Sequence, residues 1–206
     1  MVIIGAKGHA KDVLCVLEDN GFSNRLYFYD DVSEDLPSEL YGIYTILKTF
    51  EDVTEVLKHD PDFIIGVGNP FIRQLMCNKF TTEGGILQSL ISRRALIGKH
   101  EVTIEPGVNI MANVTISNNV IIGEGTLINA GVLVHHDVRI GKFVEVSPGT
   151  VVTGGVTIDD FSIIGSGAIL LPKIKIGKNV IIGAGAVVTK SIPNNTRVKG
   201  IPATSF

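Results

Sequence analysis

The sequence predicts two domains of different architecture: a small α/β domain on a short parallel sheet over residues 1–92, then a parallel β-solenoid over residues 93–206. Three observations predict it. From Ile104 to Val188 an aliphatic residue occupies every sixth position without a break, a period that fits neither a helix nor a flat strand. Ahead of that stretch, apolar runs of strand length alternate with helical patterns. The pattern changes near residue 95, and a chain of 206 residues has room for one or two domains.

The first half reads in order as strand Met1–Ala6, helix Ala10–Glu18, strand Arg25–Tyr29, helix Phe50–Lys58, strand Phe63–Val67 and helix Phe71–Phe80. Ligands of such sheets bind beyond the carboxyl ends of the strands. The first strand ends in Gly5, Ala6, Lys7, Gly8 and His9, a glycine-bearing turn opening a helix, where exposed amides suit a phosphate. The full dinucleotide fingerprint is absent, so a tight turn without ligand fits equally well. Asp30 and Asp31 close the second strand, where an acid accepts from ribose hydroxyls or a base edge, or merely solvates a turn. Gly68 and Asn69 close the third.

In the second half the aliphatic slots run Ile104, Ile110, Ile116, Ile122, Ile128, Val134 and onward to Ile182 and Val188. Four residues after most of them comes a second, smaller inward candidate: Val108, Val114, Val120, Thr126 and their successors to Ala186. If each hexad is a short strand plus a corner, three hexads close a triangular coil, and equivalent residues stack roughly 4.8 Å apart. Gly123, Gly141, Gly165, Gly177 and Gly183 follow the slot directly, where a corner demands a left-handed or crowded backbone.

Composition agrees. The chain has no Trp, 6% aromatic residues and 23 Gly, as a core of stacked aliphatics with tight corners requires. A net charge of −3 gives no general electrostatic reason to bind nucleic acid or an anionic membrane. Mean hydropathy is high at +0.34, yet no apolar run approaches the roughly 20 residues of a membrane span, which assigns the excess to the core and to a protein interface. The opening MVIIGAKGHA reads as a strand rather than a leader, so the cytoplasm is the expected compartment. Cys15 and Cys77 lie in helical, partly apolar stretches and are expected to be buried thiols.

Val134-His135-His136-Asp137 places three polar residues at one corner. With three hexads per coil, Asn118 and Asn119 stack on one side of His136 and Asp137, and Gly154 and Gly155 on the other. Bare glycine backbone beside an imidazole leaves room for a substrate and exposes an amide donor. Acyl transfer needs a base to take the proton of the attacking group and a donor for the oxyanion. His136 suits the first role, with Asp137 or a nearby carboxylate orienting it, and Gly154 N–H the second. An isolated solvated corner is the alternative.

These residues carry a family resemblance over nearly the whole chain. The hexads resemble the left-handed β-helix of the hexapeptide acyltransferases. IGAKGHA, YDD and IGVGNPFIR, followed by that repeat, resemble bacterial sugar-nucleotide acyltransferases: sialic acid O-acetyltransferases and UDP-4-amino-sugar or GDP-perosamine N-acetyltransferases. The resemblance implies a Rossmann-like first domain that holds a nucleotide sugar through Gly8, His9, Asp30, Asp31, Gly68 and Asn69. It implies a catalytic His-acid pair at His136-Asp137, with the thioester near Gly154. IIGAGAVVTKSIP and VKGIPATSF resemble the acetyl-CoA-binding coils and terminal segment, implying contacts from Gly154, Gly155, Lys173, Gly183, Ala184, Lys190 and Pro202, with Arg197 and Lys199 as further partners for CoA phosphates. A homotrimer with active sites between neighbouring prisms is also implied. Three positions depart from the family pattern: Lys7 for a second glycine, His135 for Glu, and Glu145 for a second His. Glu145 is thus a further catalytic candidate, whether it retunes the base, touches the acceptor or marks lost activity.

The expected function is acetyl-CoA-dependent N-acetylation of a nucleotide-linked amino sugar, in the synthesis of a surface polysaccharide or other glycan, with acetyl-CoA as co-substrate and no metal. O-acetylation of a sialic-acid-like sugar is the runner-up, and an inactive sugar-nucleotide-binding scaffold the alternative of another class. A metal-dependent hydratase on the same solenoid needs three converging histidines. His135 and His136 are adjacent and His100 lies outside the regular repeat.

Overall fold

A computed structural model describes residues 1–205 as two compact units, Met1–Leu90 and Ile91–Phe206, of which Phe206 itself is not described. The first unit carries β1 (Val2–Ile4), α1 (Gly8–Asp19), β2 (Tyr27–Tyr29), β3 (Glu39–Leu40), β4 (Tyr44–Leu47), α2 (Phe50–Leu57), β5 (Asp62–Ile65), α3 (Pro70–Thr82) and β6 (Ile86–Leu87). Its sheet runs β3-β4-β2-β1-β5-β6, parallel throughout except for the β3–β4 pair. Every helix and strand expected from sequence is present, with ends shifted by a few residues.

Local chemistry explains the starts of the helices. Thr49 caps α2 by accepting from Asp52 N–H, and Asn69 caps α3 by accepting from Phe71 and Ile72 N–H, with Pro70 beginning the helix. No side chain caps α1. Gly66 permits the packing of α1 on the sheet, because a Cβ there would meet Ala10 Cα at 2.8 Å. The β3–β4 hairpin was not expected. It turns through Tyr41 and Gly42, both at positive φ, and a tyrosine in that conformation gives no turn signal in the sequence. Cys77 is buried as expected, but Cys15 is exposed: it falls outside the buried stripe of α1, which is Ala10, Val13, Leu14, Val16 and Leu17.

The second unit is a left-handed parallel β-helix. Three two-residue strands make a coil, and strands pair in parallel with those 18 residues away: Ile110 with Ile128, Ile116 with Val134, Ile122 with Ile140. The inner ladders from Ile110 to Val188 are buried, as are the smaller inward residues from Val108 to Ala186. Burying each Val or Ile contributes roughly 1.5–3 kcal/mol, so the repeat itself holds the prism together. Thr126 and Ser162, where the inward slot is polar, donate to Gly141 and Gly177 carbonyls and accept from Val144 and Val180 N–H, so no buried hydroxyl goes unmatched there.

The corners divide the two possibilities raised for glycine. The residue three places after each slot from Ile104 to Ile182 is left-handed, whether Gly149 and Gly167 or Asp137 and Phe161. The glycine directly after the slot is the crowded one: a Cβ at Gly123 or Gly165 would lie 2.6 Å from backbone of the next coil. At the end of the prism Arg197–Lys199 pairs with Ile181–Ile182, and Thr204–Ser205 folds back antiparallel against it. Among the described residues no helix is long and apolar enough to cross a membrane.

Candidate active site

His136 and Asp137 occupy the corner after strand Leu133–Val134. The ladder holds this corner from both sides, with Asp137 N–H donating to Asn118 O at 3.3 Å and Gly155 N–H to His136 O at 3.0 Å. His136 Nδ1 lies 2.7 Å from Asp137 Oδ2, and Asn119 Nδ2 donates to the other carboxylate oxygen at 3.2 Å. The hydrogen bonds from His136 and then Asn119 hold the Asp137 carboxyl below its ordinary pKa, so it is an anion at neutral pH. An anion at Nδ1 keeps the proton there and leaves Nε2 with its lone pair outward, which is the tautomer a general base needs.

The imidazole lies over Gly154. A Cβ built there would stand 2.7 Å from His136 Cε1 and 2.8 Å from Nε2, so only glycine leaves the ring its place. Gly154 N–H makes no hydrogen bond to the described residues, whereas its carbonyl accepts from Lys173 N–H at 3.0 Å. A groove of about 390 Å³ opens here, lined by His135, His136, Asp137, Thr153, Gly154, Gly155, Pro172 and Lys173. An imidazole, a carboxylate bonded to it and a backbone amide therefore share one groove, an arrangement that can serve attack on a thioester.

The other expected contacts lie elsewhere on the prism. Lys190 shares the edge of His136, because 136, 154, 172 and 190 are in register. Gly183 and Ala184 follow strand Ile181–Ile182 on a different edge, and Pro202 lies in the terminal segment. Glu145 also sits apart, on the face where it pairs with Leu127 and Ile163, and its Oε1 is 3.4 Å from Ser147 Oγ. One chain does not bring Glu145 into the groove of His136.

In the first unit, Gly8, His9, Asp30, Asp31, Gly68 and Asn69 gather at the carboxyl ends of β1, β2 and β5. The uncapped start of α1 offers its amides there. The His9 side chain is largely buried, and that burial followed by the charge of Arg73 lowers its pKa to about 4, so it is a neutral imidazole at pH 7. Asp30 is spent on its own turn: it accepts from Ser33 N–H at 2.9 Å and from Ala6 N–H at 3.2 Å. Burial alone would raise its pKa, but these bonds outweigh it and hold the carboxyl below its usual value. Asn69 Oδ1 is likewise occupied by the cap of α3. Asp31, by contrast, keeps an oxygen that none of the described residues bonds.

Sequence reasoning missed Arg73, fully buried with Nη1 donating to Val67 O at 3.0 Å, and Lys79, which reaches β2 from α3. The NPFIR motif held a signal for the first, since an arginine one turn after a helix cap points back to the strand end. Nothing in sequence links Lys79 to residue 29. Among the described residues no group of three His, Cys, Asp or Glu could hold a metal ion.

Comparison with known proteins matches both halves. The PglD N-terminal domain family matches residues 1–80, and the bacterial transferase hexapeptide (six repeats) family matches residues 100–136, 119–154 and 155–190. Among solved structures, a histidine-to-asparagine variant of perosamine N-acetyltransferase from Caulobacter crescentus, in complex with CoA and GDP-perosamine, superposes with a TM-score of 0.89 at 28% identity, over 100% of this chain and 95% of that one. The acetyltransferase domain of PglB from Neisseria gonorrhoeae gives 0.89 at 29% identity, over 100% and 98%. WeeI from Acinetobacter baumannii gives 0.89 at 28%, again over 100% and 98%. No curated protein matches significantly in sequence.

Proposed function

We propose that the chain is a hexapeptide-repeat sugar-nucleotide acyltransferase that moves acetyl from acetyl-CoA to the amine of a nucleotide-linked amino sugar. The observation that carries the chemistry is His136 Nδ1 bonded to Asp137 above the bare backbone of Gly154. The acceptor amine attacks the thioester carbonyl while His136 Nε2 takes its proton. Gly154 N–H receives the negative charge that forms on the carbonyl oxygen. Asp137 stabilises the imidazolium, and collapse of the tetrahedral intermediate expels the CoA thiolate, which takes the proton from His136. No covalent acyl-enzyme is needed, because both substrates meet in one ternary complex.

The first unit supplies the acceptor. The diphosphate lies at the N-terminal turn of α1 around Gly8 and His9, and the nucleoside reaches Asp31. Asp30, Gly68 and Asn69 shape the walls rather than make the main polar contacts. Acetyl-CoA runs along the prism past Gly155, Lys173, Gly183, Ala184 and Lys190 toward Pro202. Since Gly183, Ala184 and Glu145 stand on a different edge or face from His136, one complete site takes two prisms. A homotrimer supplies them, and the outward ladder of Leu96, Leu133 and Ile169, each more than a third exposed, is the apolar face that such an assembly covers. The cytoplasm, where acetyl-CoA and nucleotide sugars occur, is the place of action.

The test is a panel of nucleotide-linked amino sugars, GDP-perosamine and UDP-linked 4-amino sugars among them, incubated with acetyl-CoA and purified protein. Mass spectrometry should show one added acetyl group that resists hydroxylamine, as an amide does. A hydroxylamine-labile product would make the acceptor a hydroxyl. Binding of both substrates without turnover would make the protein a scaffold.

A further inference from the structure

Tyr29 ends β2 and its ring is fixed among aromatics, 5.5 Å from the centroid of Phe80 and 6.1 Å from that of Phe50. A fixed ring gives a fixed hydroxyl, and this one donates to Asp31 Oδ2 at 2.5 Å. Lys79, in the last turn of α3, donates to the Tyr29 hydroxyl oxygen at 3.0 Å and stands 3.8 Å from the same Asp31 oxygen. Its ammonium is held in turn over the Phe50 ring, 3.9 Å from the centroid. Phenol and ammonium thus converge on Oδ2, and among the described residues Oδ1 takes no bond. A carboxylate acting only as a charge has no use for orientation, whereas one reading a hydrogen-bond donor does.

We propose that Tyr29 and Lys79 are positioning residues of nucleoside recognition. They lock Asp31 so that Oδ1 presents a single acceptor to an N–H or O–H donor on the nucleoside of the acceptor substrate. The proposal rests on the reading of Asp31 given above. Its consequence is selectivity: a nucleoside whose donor at that point is methylated or deleted leaves a desolvated carboxylate oxygen unmatched.

Steady-state kinetics with GDP-perosamine and a UDP-linked 4-amino sugar, and calorimetry with GDP and UDP, test it on Tyr29→Phe, Lys79→Met, Asp31→Ala and the Asp31→Ala/Tyr29→Phe double variant. Tyr29→Phe keeps the ring packing, and circular dichroism controls for folding. Each single variant should raise the acceptor KM and the Kd of the preferred diphosphate roughly three- to tenfold, as loss of a charge-assisted hydrogen bond does. The kcat and the acetyl-CoA KM should stay within about twofold. Lys79→Arg should restore most of the affinity. In the Asp31→Ala background, Tyr29→Phe should change nothing further. An undiminished Tyr29→Phe effect in that background would assign the phenol to packing and end the proposal. If Asp31→Ala weakens binding but neither Tyr29→Phe nor Lys79→Met does, positioning is wrong and Asp31 keeps its role. If Asp31→Ala leaves acceptor KM unchanged, the role of Asp31 falls together with the proposal, while acetyl transfer stands.

Discussion

Gly154→Ala tests the proposed geometry with a single methyl group. The new Cβ would stand 2.7 Å from His136 Cε1 and 2.8 Å from Nε2, where ordinary contact begins near 3.4 Å, so the ring must retreat by roughly 0.6–0.7 Å. The backbone of Gly154 is not left-handed, so alanine adds no conformational strain and retains the N–H proposed for the oxyanion. His136 is 65% exposed and has space to swing away, which limits the cost in stability to about 1 kcal/mol or less. Swinging, however, stretches the 2.7 Å bond to Asp137 and carries Nε2 off its line to the acceptor. A misplacement on the order of 1 Å can cost about 10²-fold, so kcat should fall by roughly ten- to a hundredfold with an acetyl-CoA KM little changed. The assay is single-turnover acetyl transfer, with thermal unfolding and oligomer mass as controls. In a His136→Ala background the same substitution should cost nothing more. Near wild-type chemistry in Gly154→Ala, or a full additional loss without His136, would refute the arrangement of base over glycine.

Three further outcomes are expected. His136→Ala should lower the chemical step by roughly 10²- to 10⁴-fold with acetyl-CoA binding retained, while His135→Ala, whose side chain makes no comparable acid pair, should be milder; the reverse order in single-turnover rates would move the base to His135. Multi-angle light scattering at micromolar concentration should give a trimer mass, and Leu133→Asp on the exposed ladder should lower that mass and the activity together, whereas a monomeric wild type would remove the shared site. Because the pKa of the largely buried His9 falls to about 4 from 6.5, the unfolded chain binds the extra proton between those values, so stability is full above pH 6.5 and declines as pH drops toward 4, by up to roughly 3 kcal/mol. Melting curves across that range should show the decline in the wild type and a shallower one in His9→Gln.

Some of this molecule is written in residue order alone. A solenoid pairs each residue with the one 18 places on, so the neighbours of His136 follow by counting, and Gly154 beside its ring was legible before any coordinates. The same holds for the inner ladders, since a period of six with three faces allows one set of residues inside. Handedness was not legible by counting, because either hand stacks the same residues, and only resemblance supplied it.

The first unit behaves differently, because its contacts join distant segments. That Asp30 is consumed by Ser33 and Ala6 while Asp31 keeps an open oxygen depends on how the turn after β2 meets the turn after β1. That Lys79 reaches Tyr29, 50 residues away, depends on the path of α3 across the sheet. Glu145 makes the contrast within the repeat itself. Its sequence position sets its face, and hence its separation from His136 in one chain, but what meets that face is decided only when prisms pack, since packing follows the shape and apolarity of whole surfaces rather than any local spacing.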